Sequence, residues 1–242
     1  PVKIVDGEYQ PLPLPELNYR GDEHDQGAMA RGISANGEII YGTSWENWDF
    51  GMLYWVNNGA NTEKPKWVGE DVREVWEETM KMSDGTEYTT HLVNGLICQA
   101  QLTKISPNGK WIASSYRTET PAEDRLSIVT TQTAAFYNTE TETTTIVSDY
   151  GESVGVHVTD DGIGFIGIGT LGISSGAVYD LNTGTDLGST QDWVYDNYGI
   201  IIPAGYINYV SADGRFVLGT KAESSAGGVN FINWYIAPPV AK

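Results

Sequence analysis

Apolar and polar positions alternate in short runs along this chain, and one recurring turn separates the runs. It reads Ile33-Ser34-Ala35-Asn36-Gly37, Ile105-Ser106-Pro107-Asn108-Gly109, Val158-Thr159-Asp160-Asp161-Gly162 and Val210-Ser211-Ala212-Asp213-Gly214. Each copy leads into an apolar stretch: Ile39-Ile40-Tyr41-Gly42, Trp111-Ile112-Ala113-Ser114, Phe165-Ile166-Gly167 or Phe216-Val217-Leu218-Gly219. This is strand, turn, strand, because Asn or Asp before Gly accepts the positive φ of a tight hairpin. Gly109, Gly162 and Gly214 are each about fifty residues apart, and the interval from Gly37 to Gly109 is about twenty longer.

A second pattern follows the first. Gly51-Met52-Leu53-Tyr54-Trp55 aligns without gaps with Gly176-Ala177-Val178-Tyr179-Asp180, and Ala135-Phe136-Tyr137-Asn138 fits the same frame. Each reads as a third strand leading to a turn and a fourth. The chain is therefore expected to be all-β: one propeller-like domain of four, or with an irregular extra blade five, four-stranded meander blades. The units run over about residues 28–68, 96–149, 152–188 and 206–236. The surplus over residues 70–95 reads as an inserted hairpin, Glu74–Met82 with Glu87–Val93 around Ser83-Asp84-Gly85. Unit four stops after three strands, so the N-terminal run over residues 2–13 is expected to complete it and close a sheet edge. Helix is scarce, with Asp71–Met80 the one stretch that also fits a short amphipathic helix.

The pattern Gly-Ile-Ser-x-Asn/Asp-Gly-x-x-x-x-Gly, complete from Gly32 to Gly42 and weaker at 105–142, 158–184 and 210–219, resembles bacterial extracellular propeller repeats of the HAF type. Copy two departs from it at Ser114, and copy four lacks a clear third-strand Tyr. The resemblance implies an extracytoplasmic propeller-like protein, at the cell surface, in the periplasm or secreted. It carries over no catalytic residue.

Composition narrows the partners. The formal net charge is −18, from 32 acidic and 14 basic residues, which excludes a phosphate-tracking nucleic-acid binder. No apolar run reaches the roughly 18 residues of a membrane span. The single cysteine, Cys98, lies in an apolar run and is expected to be a buried thiol.

Two tempting motifs fail on context. Gly162-Ile163-Gly164-Phe165-Ile166-Gly167 matches a dinucleotide fingerprint, but that chemistry needs a helix N-terminus after the glycines, and here a strand continues. Gly172-Ile173-Ser174-Ser175-Gly176 matches a nucleophile elbow, yet Ala177-Val178-Tyr179 again reads as strand, not helix. His24, His91 and His157 lack a paired metal spacing. Asp22, Glu23 and Asp25 form an acidic loop whose oxygens would suit Ca²⁺, the one cofactor to consider.

Binding candidates are of two kinds. Trp45 and Trp48 fall between strands two and three of unit one, and Trp193, Tyr195 and Tyr198 fall between units three and four. Loop aromatics beside Asp and Asn suit carbohydrate, whose apolar ring face stacks on them. Lys104, His157 and Tyr209 share the position just before the repeated Ile or Val, on the innermost strand, where polar groups either converge on a central channel as a site or pack between blades and meet channel water. The expected function is a non-enzymatic binding protein for a carbohydrate or protein ligand. The alternatives are an assembly module of the cell envelope, marked by a flat apolar or edge-strand surface, and a glycoside-active enzyme. The enzyme would use a facing carboxylate pair drawn from Glu46, Asp49, Asp192 and Asp196.

Overall fold

Ser and Asx side chains build the hairpins that organise the chain. In the first turn Ser34 Oγ accepts from Ile39 N at 3.0 Å, and Asn36 Oδ1 accepts from Glu38 N at 3.1 Å. Ser106 with Asn108, and Ser211 with Asp213, repeat both bonds. The glycines that follow sit at φ 76, 81, 83 and 66°, where a Cβ would be strained. The third turn is one residue shorter: Thr159 Oγ1 accepts from Ile163 N at 3.0 Å. Ile163, rather than Phe165, is thus the counterpart of Ile39.

The computed structural model describes residues 1–21, 23, 27–44, 51–56, 63–98, 104–169, 175–225 and 228–237. The fold is an all-β array of antiparallel meanders. Blade one comprises β3 (Ala28–Ile33), β4 (Ile40–Ser44), β5 (Met52–Trp55) and β6 (Lys66–Trp67), hydrogen-bonded in that order. Blade three repeats the order with β13 (Ser153–Val158), β14 (Ile163–Ile168), β15 (Ser175–Asp180) and β16 (Thr185–Ser189). Blade four has β17 (Tyr206–Val210), β18 (Val217–Ser225) and β19 (Gly228–Ile236).

Blade two is the enlarged one. The inserted hairpin forms, as β7 (Glu74–Lys81) and β8 (Glu87–Ile97), and the helical alternative for 71–80 gives way to a short 3-10 turn over Glu70–Val72. The hairpin does not stand apart, however. The end of β8 pairs with β10 (Trp111–Pro121) at Ser115–Arg117, while β9 (Lys104–Ile105) pairs with the same strand at Ile112 and Ala113. The blade is thus a six-stranded sheet ordered β12-β11-β10-β8-β7, with β9 alongside, where β11 is Ile128–Asn138 and β12 is Thr143–Val147.

Face alternation seals each blade onto the next. Tyr41 and Tyr54 of blade one cluster with Ile112, Ala135 and Tyr137 of blade two. Ala113 and Phe136 on the opposite face of blade two cluster with Val158, Ile166 and Ala177 of blade three. Phe165 and Val178 then cluster with Val210 and Val217 of blade four. Backbones come close at these seams: a Cβ on Gly155 would lie 2.8 Å from Ser114 O and 2.9 Å from Ala135 O. The pairings Tyr41↔Tyr54 and Phe165↔Val178 make Tyr54 the counterpart of Val178. The gapless alignment of the third strands is therefore out by one residue, a slip that would turn every side chain to the wrong face.

The N-terminal strand does not complete blade four. β1 (Val2–Val5) pairs with β2 (Glu8–Pro11) across Asp6-Gly7, both at positive φ, as a two-residue hairpin prefers. The segment that follows covers the outer face of blade one instead. Leu12 packs with Ile40, Leu53 and Trp55, and Trp55 Nε1 donates to Pro13 O at 2.9 Å. Tyr19, with no exposed surface, donates to Leu96 O at 2.9 Å. Arg20 and Arg117 pair with the buried Glu119, which also accepts from Val93 N at 3.0 Å. The apolar outer face of blade one needs a cover, and the adjoining segment reaches it at the smallest loop-closure cost.

Candidate functional site

The turns at one end of the array are linked in series. Ala35 N donates to Pro107 O at 2.7 Å, Asn36 Nδ2 to Asn108 O at 3.1 Å, and Asn108 N to Asp160 Oδ1 at 2.8 Å. Turn one is thereby fastened to turn two, and turn two to turn three. Between turns three and four a cleft of about 420 Å³ opens instead. Asp160 and Asp161 line one side, Ser211 and Asp213 the other, and Trp193, Asn197 and Tyr198 form the wall.

That wall is a helix, α1 (Thr190–Tyr198), where the sequence reading placed a loop. Ser189 Oγ accepts from Asp192 N at 3.1 Å at its start, and Gly199 closes its end in the left-handed conformation. Such a cap followed by a C-terminal Gly is a local signal, legible in Ser189-Thr190-Gln191-Asp192 and Gly199. Trp193 lies half-buried, edge-on to Phe165 at 5.1 Å and to Tyr198 at 5.8 Å. Tyr198 Oη donates to Gly214 O at 2.7 Å and bridges helix to turn four. Burial, with the nearby Asp213 adding to it, raises the Tyr198 pKa, so the phenol stays protonated. The Ser211 hydroxyl and the Arg215 N–H hold the Asp213 carboxyl below its ordinary value. The cleft therefore has a fixed aromatic wall and a carboxylate rim on which Asp213 is held in its ionised form.

The predicted site residues fall in different places. Of the helix aromatics Trp193 enters the cleft, while Tyr195, 58% exposed, stands two residues on and points away from it. Trp45, Trp48, Asp22 and Asp25 lie outside the described residues; Glu23 is exposed. Asp192 is engaged in the helix cap, and Asp196 is exposed. Glu46 and Asp49 also lie outside the described residues.

Lys104, His157 and Tyr209 do sit on adjacent inner strands, since β3 contacts β9, β9 contacts β13, and β13 contacts β17. A register shift precedes Gly32, His157 and Tyr209 alike, at Ala30/Gly32, Gly155/His157 and Ile207/Tyr209. A bulge at this point re-aims the side chain that follows. His157 is 2% exposed: its ring stacks on Phe165 at 5.8 Å and meets Tyr209 at 5.3 Å, and Nε2 lies 3.3 Å from Val210 O. Burial, with Lys104 adding to it, pushes its pKa down to about 4. It is a neutral packing group between blades three and four, closed off from any channel. Cys98 is buried as expected.

A second concavity of about 500 Å³ lies between blades one and two, beside Trp67 and Tyr137. Its carboxylates are already engaged: Glu142 with Lys66, Asp71 with Thr144, and Glu70 with Arg73. In the cleft at turns three and four the carboxylates are held by hydroxyl and backbone N–H donors rather than by cations, which makes it the better site. Among the described residues no three His, Cys, Asp or Glu side chains converge as a metal site. Tyr198, like Trp193 an aromatic between units three and four, enters the cleft, whereas Asp160, Asp161, Asp213 and Asn197 were not singled out in the sequence as site residues, although three of them belong to its most visible motif.

No family model and no curated protein matches the chain. Among solved structures, TolB from Acinetobacter baumannii aligns with 86% of the chain at 12% identity and a TM-score of 0.46. A puromycin hydrolase aligns with 84% at 10% identity and 0.25, and the tricorn protease with 85% at 11% and 0.22. The chain spans 41%, 35% and 25% of those three chains. At such identities likeness speaks of fold alone, and the propeller-like arrangement rests on strand order and blade seams. The HAF-type repeat finds no family model behind it.

Proposed function

We propose that the protein is a non-enzymatic binding protein that takes a hydroxyl-rich ligand, a carbohydrate, in the cleft between turns three and four. The observation that carries this reading is the pairing of an aromatic wall, Trp193 and Tyr198, with an oxygen-rich rim, Asp160, Asp161, Asp213 and Asn197. A sugar ring stacks its apolar face on such a wall and donates its hydroxyls to such a rim. The volume lies within the range of about 300–1,000 Å³ typical of small-ligand pockets. The ionised Asp213 accepts hydrogen bonds from hydroxyls and repels phosphorylated or acidic ligands.

Among the described residues the displaced carboxyl groups, Glu16, Asp84, Asp180 and Asp213, are all held low. A glycosidase's acid needs the opposite shift, which favours binding over hydrolysis. An extracytoplasmic setting belongs to the same reading and rests on the repeat resemblance. No helix among the described residues is long and apolar enough to cross a membrane.

The test is calorimetric titration with a panel of neutral oligosaccharides, together with an assay for released reducing ends. Binding weakened about tenfold by Asn197→Ala or Asp161→Asn is expected. Released sugar ends, or binding indifferent to both substitutions, would overturn the reading.

A further inference from the structure

Each blade has one face turned to its predecessor and one to its successor. The successor face carries equivalent positions in every copy: Tyr41 and Tyr54 in blade one, Ala113 and Phe136 in blade two, Phe165 and Val178 in blade three. All six are buried. In blade four the equivalent pair is Leu218 and Tyr235, directly opposite each other on β18 and β19, and they are 41% and 78% exposed. Phe216 and Phe231 stand on the same face at 49% and 57%. The blade keeps the apolar pattern of a seam without the neighbour that seals it.

Two further features mark this face. Its described positions are Phe216, just ahead of β18, and Leu218, Thr220, Ala222, Phe231, Asn233 and Tyr235 on β18 and β19, with no charged side chain, in a chain of net charge −18. Loss of charge at the centre of a patch is the compositional mark of a protein interface. Beside it, β19 pairs only with β18 among the described strands, so the edge is open as well.

We infer that this face joins two copies of the chain, blade four against blade four. Four large side chains, about half exposed, offer on the order of 500 Å² per copy and about 1,000 Å² for the pair, the lower limit for a specific interface. Head-to-tail assembly is blocked, because the outer face of blade one is covered by the chain's own Leu12 and Pro13. A symmetric contact through the uncharged face also keeps the two strongly acidic bodies furthest from like-charge contact. Remaining repulsion is screened by salt, so the dimer tightens as ionic strength rises.

Sedimentation equilibrium over micromolar concentrations, at low and high salt, tests this. The wild type is expected to dimerise, more tightly at high salt. Tyr235→Glu and Phe231→Glu are each expected to weaken the dimer about tenfold or more, with the melting temperature of the dilute monomer unchanged because both side chains are exposed there. Tyr9→Glu, at an equally exposed aromatic on the N-terminal hairpin, serves as the control and leaves the dimer intact. A wild type that stays monomeric at every concentration overturns the inference and leaves the face to a different polypeptide. A dimer that ignores Tyr235→Glu and Phe231→Glu overturns it too.

Discussion

Blades three and four are built on the same plan and end in opposite circumstances. Phe165 and Val178 on the successor face of blade three are wholly buried against β17 and its neighbours; Leu218 and Tyr235, their equivalents, lie open. In a stacked array each unit contributes its own stability plus the interfaces it shares with neighbours. Among the described residues blade three has two such interfaces and blade four has one. The comparison teaches that the apolar pattern of a strand states what it can bury, while only the neighbours decide whether it does.

The largest expected effect is at the sealed face. Phe165→Ala removes a ring that packs on Trp193 and His157 and should cost about 4 kcal/mol in denaturant unfolding. Leu218→Ala at the equivalent open position should cost about 0.5 kcal/mol or less, measured in monomer. Equal costs at the two sites would abolish the distinction.

Next comes the cover over blade one. Glu119, 3% exposed, holds Arg20 and Arg117 and the Val93 N–H. Glu119→Ala leaves buried guanidinium charge uncompensated and should destabilise by about 3 kcal/mol. Limited proteolysis should then cut first near Arg20, where the N-terminal segment loses its anchor.

His157 gives the seam between blades three and four a pH dependence. Its folded pKa, about 4, lies below the ordinary value of 6.5, so between those values the unfolded chain binds more protons. Stability is therefore full above about pH 6.5 and falls as pH drops toward 4, by up to about 3 kcal/mol. Unfolding curves across that window should show the fall, and His157→Gln, though less stable, should remove this part of it. Smaller again is the helix cap: Ser189→Ala should cost about 1 kcal/mol in the same unfolding assay and loosen the cleft wall.

What could be read from the chain was local. Ser34, Asn36 and Gly37, with their three repeats, specify hairpins through bonds within five residues, and the motif names them. The inserted hairpin was legible for the same reason, its strands ending within a few residues of β7 and β8. The third-strand alignment slipped by one because turn three is a residue shorter, a deletion that Thr159-Asp160-Asp161-Gly162 conceals. α1 was hidden by a weak apolar stripe, although Ser189 and Gly199 mark its ends. The docking of the N-terminal hairpin and the cleft itself were out of reach. Both depend on segments far apart in sequence, such as Leu12 against Trp55 and Asp160 beside Asn108. His157 shows the converse: the sequence puts it on an inner strand, where it either faces a channel or packs between blades, and only the rings of Phe165 and Tyr209 decide for packing.

Residue-resolved hydrogen exchange on the dilute monomer tests the central claim most directly, by comparing the amides of β14 and β15 with those of β18 and β19. The account predicts that blade four opens separately, its strands exchanging at markedly lower free energy than those of blade three. Equal protection across both blades would contradict it, showing that the open face of blade four is already sealed in the solitary chain.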